Sequence, residues 1–204
     1  MTEKKLPEDL VKAVEFHGHL CPGLVMGYLA AKAGMERLAA ARAEDEELIA
    51  IVENDSCAVD AVQVLTGCTF GKGNLFYRDH GKQVYTFAVR PSGRAVRVSL
   101  KHERPREGQR AGASRHGGWE IRYMLGCPPE ELFSIREETI LLPEAARIRQ
   151  SVLCESCGEM VMETRARRLV GRLLCIPCQK AITRNNKPKL PAKAGRRRRE
   201  QVDT

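Results

Sequence analysis

The segment LIAIVENDSCAVDAVQVL, residues 48–65, joins two different hydrophobic patterns across a polar break. Its first part, LIAIVE, is a short apolar run with β-branched residues, which is typical of a buried strand. Its last part, AVDAVQVL, predicts a helix that ends near Gly67. Between them, Asp55 or Ser56 is a suitable N-cap, because a short polar side chain can accept a hydrogen bond from a free N–H group. The segment therefore predicts a buried strand followed closely by a helix.

The sequence predicts two helices before this segment and several strands after it. Upstream, a short helix is predicted over residues 7–16, and a longer helix, rich in Gly and Ala, begins at Pro22. This composition indicates a buried helix that packs closely against a neighbour. The downstream patterns predict strands over residues 74–79, 82–90, 95–102 and 132–140, with helical turns over 119–126. The order favours an α+β fold with a mixed or antiparallel sheet and packed helices.

The positive charge of the chain is concentrated near its C-terminal end. The formal net charge is +8, and residues 151–204, with 13 Lys/Arg and 5 Asp/Glu, account for all of it. The balanced charge of the remainder argues against a general basic surface for nucleic acid. No run of about 18 apolar residues is present, and the first ten residues lack the apolar stretch of a secretory signal. We therefore expect a cytoplasmic protein without a membrane span.

Composition divides the chain into three parts. An α+β core is expected over residues 1–142, including a polar, Gly-rich loop over 103–118. A small cysteine-dense module is expected over residues 143–183. Residues 184–204 have almost no apolar content, so a basic disordered tail is expected there. Its four consecutive arginines could contact phosphates, which leaves weak nucleic-acid binding by the tail open.

Two Cys-x-x-Cys pairs, CESC and CIPC, are separated by 17 residues. Each pair can supply two corners of a tetrahedron, so together they predict a closed structural zinc site. An iron–sulfur cluster or four unligated thiols are the alternatives. A module this small needs the metal for its folding energy, and its central hairpin should turn near Val170 and Gly171. The expected zinc ligands are Cys154, Cys157, Cys175 and Cys178.

The stretch FHGHLCPG, residues 16–23, places His17, His19 and Cys21 at every second position. In an extended segment alternate side chains share a face, so we expect these three to point into one pocket. Cys21 directly precedes a helix start, where free N–H groups and the helix dipole lower the pKa of a thiol. Packing alone is a weak explanation for three such residues in five positions.

Two further core cysteines are candidates for the same pocket. Cys57 directly precedes the helix predicted by AVDAVQVL and occupies a place similar to that of Cys21. Cys68 follows that helix, about three turns from Cys57. Both can lie at one end of the helix only if it is shorter than its pattern indicates. Structural or surface roles are the simpler interpretation of His80, His102, His116 and Cys127.

Three segments resemble the hallmark sequences of the FmdE family, which is named after a component of formylmethanofuran dehydrogenase. They are FHGHLCPGLVMGYLAAKAGMERL, NDSCAVDAVQVLTGCTFGKGNL and DHGKQVYTF. The likeness covers roughly residues 10–180, and the C-terminal cysteines resemble the zinc ribbon that many members carry. The resemblance implies an α+β core, a homodimer, and a pocket lined by the histidine–cysteine motif together with the later cysteine segment.

Carried over residue by residue, the resemblance implies a pocket built from both long motifs. If the pocket is catalytic, Cys21, Cys57 and Asp60 are the candidates. The Gly-rich stretch GCTFGKGN lacks the spacing of a nucleotide P-loop and more simply serves a tight turn. The family name implies a subunit or accessory factor of molybdenum- or tungsten-type formate or formylmethanofuran chemistry. The pocket residues are His17, His19 and Cys21 from the first motif, Cys57, Asp60 and Cys68 from the second, and, more weakly, Lys72.

Three kinds of function stay open on the sequence. Histidine nitrogen and cysteine thiolate suit a second transition metal in the core, either zinc, iron or nickel, in addition to the structural zinc. The alternative is a regulatory protein that binds nucleic acid or protein through its zinc ribbon, without catalysis. Thiol redox chemistry is the third, although the core has no Cys-x-x-Cys pair. The implied partners are a second copy of the chain, a molybdenum or tungsten dehydrogenase, and nucleic acid.

Overall fold

A computed structural model describes residues 5–102 and 118–185 of the chain. It divides the chain into two compact units, Met1–Ala146 and Arg147–Thr204, which are treated separately below. The predicted loop over residues 103–118 and the predicted C-terminal tail fall outside the described residues, apart from their ends. Within the described residues, no helix is long and apolar enough to cross a membrane.

The first unit contains five helices and five strands within the part of the chain that the structure describes. The predicted strand–helix segment at its centre is present, as a fully buried strand β1 (Leu48–Val52) followed by helix α3 (Ala58–Thr66), which is capped by Gly67. The longer apolar helix begins at Pro22, as its sequence predicts. The elements are α1 (Glu8–His17), α2 (Pro22–Leu38), β1 (Leu48–Val52), α3 (Ala58–Thr66), β2 (Leu75–Tyr77), β3 (Val84–Val89), β4 (Arg94–Leu100), α4 (Gly118–Gly126), α5 (Pro129–Leu132) and β5 (Phe133–Thr139).

The five strands form one mixed sheet in the order β2-β1-β3-β4-β5. The β1 and β2 strands are parallel, and the other three neighbouring pairs are antiparallel. The short α3 helix lies in the crossover between the two parallel strands, which require a longer connection than a hairpin does. The predicted α+β class with a mixed sheet is therefore confirmed.

The helices cover one face of this sheet. Leu48, Ala50 and Val52 of β1 share the main apolar core with residues of α1, α2 and α3. Ile49, between them, packs on the other face with Ala88 of β3. Because successive strand residues point to opposite faces, a five-residue run that is apolar throughout can serve both cores.

Close contact between α2 and α3 depends on Gly27. A Cβ atom at this position would lie 2.1 Å from the carbonyl oxygen of Ala58, at the start of α3. No larger residue fits without a shift of the backbone. The Gly- and Ala-rich composition of α2 thus has the close-packing role that the sequence predicts, and it brings the beginnings of the two helices together.

The second unit is built from two short hairpins and a helix. Its small apolar core contains Cys154, Leu174 and Cys175, with a few half-buried neighbours. The hairpin of β8 (Arg167–Leu169) and β9 (Arg172–Leu174) turns at Val170 and Gly171, as predicted. The elements are β6 (Ser151–Leu153), β7 (Met160–Met162), a 3₁₀ turn (Glu163–Arg165), β8 (Arg167–Leu169), β9 (Arg172–Leu174) and α6 (Ile176–Asn185).

Candidate metal centres

His17 is the last residue of α1, and the chain reverses direction directly after it. Gly18 caps the helix in the left-handed region, at φ +92°, where glycine meets no steric penalty. The extended segment that the alternating pattern predicted is therefore absent. His17 instead enters the site from a helix end, with its side chain 12% exposed.

Cys21 enters the site from the start of the next helix. It is the N-cap residue of α2, and its sulfur accepts a hydrogen bond from the backbone N–H of Leu24 at 3.4 Å. Pro22 occupies the first helical position, where its missing N–H costs nothing. The half-buried thiol is therefore fixed by the helix backbone, in an orientation that faces the end of α1.

Cys57 approaches from the start of α3. It is the residue before Ala58, where that helix begins. A Cβ atom built on Gly23 of α2 would lie 3.2 Å from the Cβ of Cys57 and 3.9 Å from each of the sulfurs of Cys21 and Cys57. The absence of a side chain at Gly23 thus leaves room for the two thiols to meet.

These three side chains form a cluster, here called the core triad: His17, Cys21 and Cys57. One ligand atom from each lies within 4.8 Å of the other two. The sulfur of Cys21 lies 3.8 Å from Nε2 of His17. Zn–S bonds of about 2.3 Å place tetrahedral ligand atoms about 3.7 Å apart, so the triad is near the spacing that one ion needs. One nitrogen and two sulfurs also match the donors that zinc, iron and nickel accept.

Asp60 orients the imidazole of the triad. Its Oδ2 lies 2.7 Å from Nδ1 of His17, which leaves Nε2 directed toward Cys21. A carboxylate on the outer nitrogen of a histidine fixes the tautomer and raises the basicity of the inner nitrogen, and metal-bound histidines commonly have such a partner. Asp60 lies one position beyond Val59 in the first turn of α3, so the same helix supplies both Cys57 and this carboxylate.

The environment of Cys57 favours its protonated form when no metal is bound. Burial, followed by the neighbouring Cys21 sulfur, raises the pKa of the Cys57 thiol. The lowered pKa that a helix start predicts for this residue is therefore not found, because burial and the second sulfur outweigh the backbone N–H groups. A divalent ion would reverse this balance, since a metal-bound thiol loses its proton.

A cavity of about 510 Å³ opens beside the triad. His17, Cys57 and Asp60 form part of its wall, and Phe70 and Tyr77 line it as exposed aromatic residues. Its volume lies within the range of small-molecule sites, about 300–1,000 Å³. The triad therefore faces a space that a small molecule can enter. The remaining lining residues are Val52, Asn54, Asp55, Ser56, Val59 and Gln63.

Three of the predicted pocket residues belong neither to the triad nor to the wall of this cavity. His19 is exposed, and its ring lies 4.6 Å from that of His17, centre to centre. Cys68 follows the far end of α3, where its buried thiol donates to the carbonyl oxygen of Leu48 at 3.4 Å. Burial raises the pKa of this thiol to about 11. The Lys72 ammonium donates to the carbonyl oxygens of Ala43 and Glu44, at 3.1 Å each.

The position of Cys68 corrects its assignment to the predicted pocket. The nine residues of α3 separate it from Cys57, as the length of the AVDAVQVL pattern indicates. Its neighbours are aliphatic core residues, which is the usual environment of a structural cysteine. The sequence did not identify Phe70 and Tyr77 as cavity residues, because no local sequence pattern distinguishes an aromatic residue that lines a cavity from one that is buried in a core.

The second centre consists of the four C-terminal cysteines. One sulfur from each of them lies within 4.8 Å of the other three. Backbone N–H groups of Cys157 and Cys175 lower the pKa of the Cys154 thiol to about 6, with the Cys175 N–H at 3.2 Å from the sulfur. Backbone N–H groups of the two pairs thus stabilise the thiolate form of Cys154 in particular. Four thiolates in this arrangement form a closed structural zinc site.

A mixed sheet covered by helices on one face, together with a closed tetrathiolate module, defines this chain as a zinc-containing α+β protein. Residues 16–134 match the family model FmdE, described as the molybdenum formylmethanofuran dehydrogenase operon family. The chain belongs to this family, as the resemblance of its motifs predicts. Residues 147–184 match the prokaryotic dksA/traR C4-type zinc finger.

Two relatives place the chain among known proteins. A probable S-adenosyl-L-methionine-binding protein of Archaeoglobus fulgidus is 34% identical in an alignment 204 positions long. The alignment covers 86% of this chain and 54% of the relative. The chain thus spans about half the length of this curated relative. The crystal structure of a tungsten formylmethanofuran dehydrogenase FmdE-like protein of Syntrophus aciditrophicus superposes with a TM-score of 0.65 at 28% identity. That match covers 85% of this chain and 91% of the other.

Proposed function

We propose that the core triad binds one transition metal ion and presents it to a small molecule in the adjacent cavity. The observation that carries this proposal is the Asp60–His17 pair, in which a carboxylate holds the imidazole so that its inner nitrogen faces the sulfur of Cys21. Apolar packing alone does not require a half-buried histidine to pair one nitrogen with a carboxylate and direct the other toward a sulfur. Three protein ligands leave a fourth position free, which is the pattern of catalytic rather than structural zinc sites.

The chain's own residues would have separate roles in such a centre. His17, Cys21 and Cys57 would hold the ion, which, when bound, can act as a Lewis acid toward a ligand. Asp60 keeps the proton on Nδ1 of His17, and Gly23 keeps space beside the sulfurs. Zinc, iron and nickel all suit this donor set.

At the level of cellular role, we propose a subunit or accessory factor of molybdenum- or tungsten-type formate or formylmethanofuran chemistry. The support is the family model and the name of the Syntrophus aciditrophicus protein. A homodimer is part of the same proposal. The archaeal relative is named as a probable binder of a small molecule, which favours the cavity of this chain as a ligand site.

Metal counting tests the proposal for the core triad. The full chain, purified without added chelator, should contain two metal ions per chain by inductively coupled plasma mass spectrometry. Cys21→Ser/Cys57→Ser should contain one, which is the zinc of the C-terminal module. Cys154→Ser/Cys157→Ser should also keep one, held by the triad.

A matched control is Cys127→Ser, which removes a half-buried cysteine that belongs to neither centre among the described residues. It should leave both metals in place. A count of one zinc in the wild-type chain after reconstitution with zinc, iron(II) and nickel, lost entirely in Cys154→Ser/Cys157→Ser, would overturn the proposal.

A further inference from the structure

We propose that the cavity beside the core triad selects an organic cation, with an ammonium or sulfonium group attached to a planar or apolar body. This inference deepens the proposed function, because it names the class of ligand that the same site would take. It rests on the charge, the aromatic residues and the volume of the cavity, which can be judged separately from the metal.

The charged side chains that line the cavity are acidic. Asp55 and Asp60 are both lining residues, and no Lys or Arg is found among the described residues that form the wall. The carboxylate of Asp60 is paired with the imidazole of His17. Asp55 is exposed and takes part in none of the ion pairs found within residues 5–102 and 118–185. Its charge is therefore available to a ligand.

A third carboxylate, that of Asp79, lies near Tyr77, one of the two aromatic residues of the wall. Burial, followed by the nearby carboxylates of Asp79 and Asp55, raises the pKa of the Tyr77 phenol. Asp55 is itself a lining residue, whereas Asp79 is not, so the charge that faces a ligand is that of Asp55. The neighbouring Arg78 is exposed and is not among the lining residues.

A metal in the triad would not cancel this charge. The two thiolates of Cys21 and Cys57 neutralise a divalent ion, so the charge of Asp55 would remain uncompensated with or without it. An anion that enters the cavity would be repelled by Asp55 and would find no Lys or Arg to pair with among the described lining residues. A ligand cation would instead gain a Coulomb attraction that the partly enclosed site screens less than bulk water does.

The aromatic residues supply the second part of the recognition. The exposed fraction is 62% for Phe70 and 41% for Tyr77, although both are large apolar side chains. Such rings are normally covered, and here they line one cavity with Asp55. Aromatic faces attract cations through the ring quadrupole and stack on planar groups. Carboxylate and ring together are a common means of binding ammonium and sulfonium groups.

The test uses three small probes that share a phenyl ring and differ in charge: 2-phenylethylammonium, 2-phenylethanol and phenylacetate. Binding to the full chain is measured by ligand-observed NMR at low salt, on protein whose metal content has been determined. The ammonium probe should bind at least about tenfold more tightly than the alcohol, and phenylacetate should bind most weakly.

Two variants assign this preference to the cavity. Asp55→Asn should bring the ammonium and alcohol affinities to within about threefold of one another. Phe70→Leu should weaken both probes. Glu137→Gln, on the exposed part of β5, is a matched charge control that should change neither.

The outcome separates this inference from the metal proposal. Equal binding of ammonium and alcohol, tighter binding of phenylacetate, or an unchanged preference in Asp55→Asn would overturn the cation inference, whatever the metal content. A chain with one zinc that still prefers the ammonium probe would retain the cation inference while the metal proposal failed.

Discussion

At the scale of single residues, the core site depends on how His17 is held. The alternation of His17, His19 and Cys21 predicted their convergence from an extended segment, but the structure places His17 at a helix end and Cys21 at the next helix start. Two of the three residues still meet, because the turn at Gly18 reverses the chain between them. The residue types thus indicated two members of the cluster, whereas their geometry depends on the end of α1, which the sequence pattern placed one residue too early.

Asp60→Asn tests the orientation of this histidine. The asparagine oxygen can still accept from Nδ1 of His17, but the negative charge that strengthens the inner nitrogen is lost. We expect the affinity of the core centre for metal to fall about 10- to 100-fold. Competition with a chelator of known affinity measures this change in a background that lacks the C-terminal zinc site.

Asp55→Asn is the matched control, because Asp55 lines the same cavity but, among the described residues, forms no hydrogen bond or ion pair with His17. It should leave the metal affinity unchanged, and circular dichroism should show both variants folded. An unaltered affinity in Asp60→Asn would mean that the carboxylate does not act through the imidazole.

Glu53 offers a residue-scale test of pH dependence. Its side chain is 10% exposed, and it accepts hydrogen bonds from His80 at 3.0 Å and from Arg97 at 3.3 Å. Burial alone would raise the pKa of Glu53, but the two partners outweigh it and hold that pKa below the ordinary value of 4.5. A carboxyl group with a lowered folded-state pKa contributes stability above its unfolded-state pKa, and this contribution is lost as the pH falls through the folded-state value.

We therefore expect Glu53→Gln to reduce the free energy of unfolding by about 1–3 kcal/mol at about pH 7, because two partners lose a charged acceptor. The difference from wild type should shrink below about pH 4.5. Urea unfolding at a series of pH values measures it. Glu137→Gln should follow the wild-type curve, and a difference that is constant with pH would show that the charge of Glu53 is not involved.

At the scale of elements, the site is assembled by the contact between the beginnings of α2 and α3. The composition of α2 predicted a close neighbour but could not identify it. Gly23 and Gly27 are four residues apart and therefore lie on one face of the helix, which is the face against Cys57 and Ala58. The helix that packs against this face is determined by how the chain crosses the sheet. Local sequence periodicity does not contain this information, so the partner helix could not be predicted.

Gly27→Ala tests how much the contact between α2 and α3 contributes to the stability of the fold. The new Cβ would lie 2.1 Å from the Ala58 carbonyl oxygen, a backbone atom that cannot rotate away. Overpacking of this kind costs about 1–3 kcal/mol, which corresponds to a fall in Tm of several degrees for a chain of this size.

Gly126→Ala is the control in another helix, because a Cβ there would meet nothing within 4 Å. It should be neutral or slightly stabilising, since alanine favours helix over glycine. Thermal unfolding by circular dichroism compares the two variants. Equal Tm values would show that α2 and α3 can separate without cost.

At the scale of the whole molecule, the two units rest on different sources of stability. The first unit has an extensive apolar core on one face of a five-stranded sheet, and its class followed from the order of helix and strand patterns. The second has a fully buried core of few residues, two of which are zinc-ligand cysteines. The spacing of its four cysteines was sufficient to predict that centre, because all of its ligands are close in sequence. The cavity of the first unit unites residues from separate elements, so its aromatic lining could not be predicted.

Removal of metal should therefore affect the two units differently. Without zinc, the few apolar contacts of the second unit cannot offset its conformational entropy. Hydrogen exchange after chelation should show loss of protection in β6 to β9, while β1, β3 and β4 keep theirs, because their side chains form the large core. Cys154→Ser/Cys157→Ser should show the unprotected second unit before chelation and no further change there afterwards. Retained protection in β6 to β9 once the metal is gone would mean that this unit folds on its own apolar contacts, and zinc would then be a ligand of a preformed module rather than the source of its folding energy.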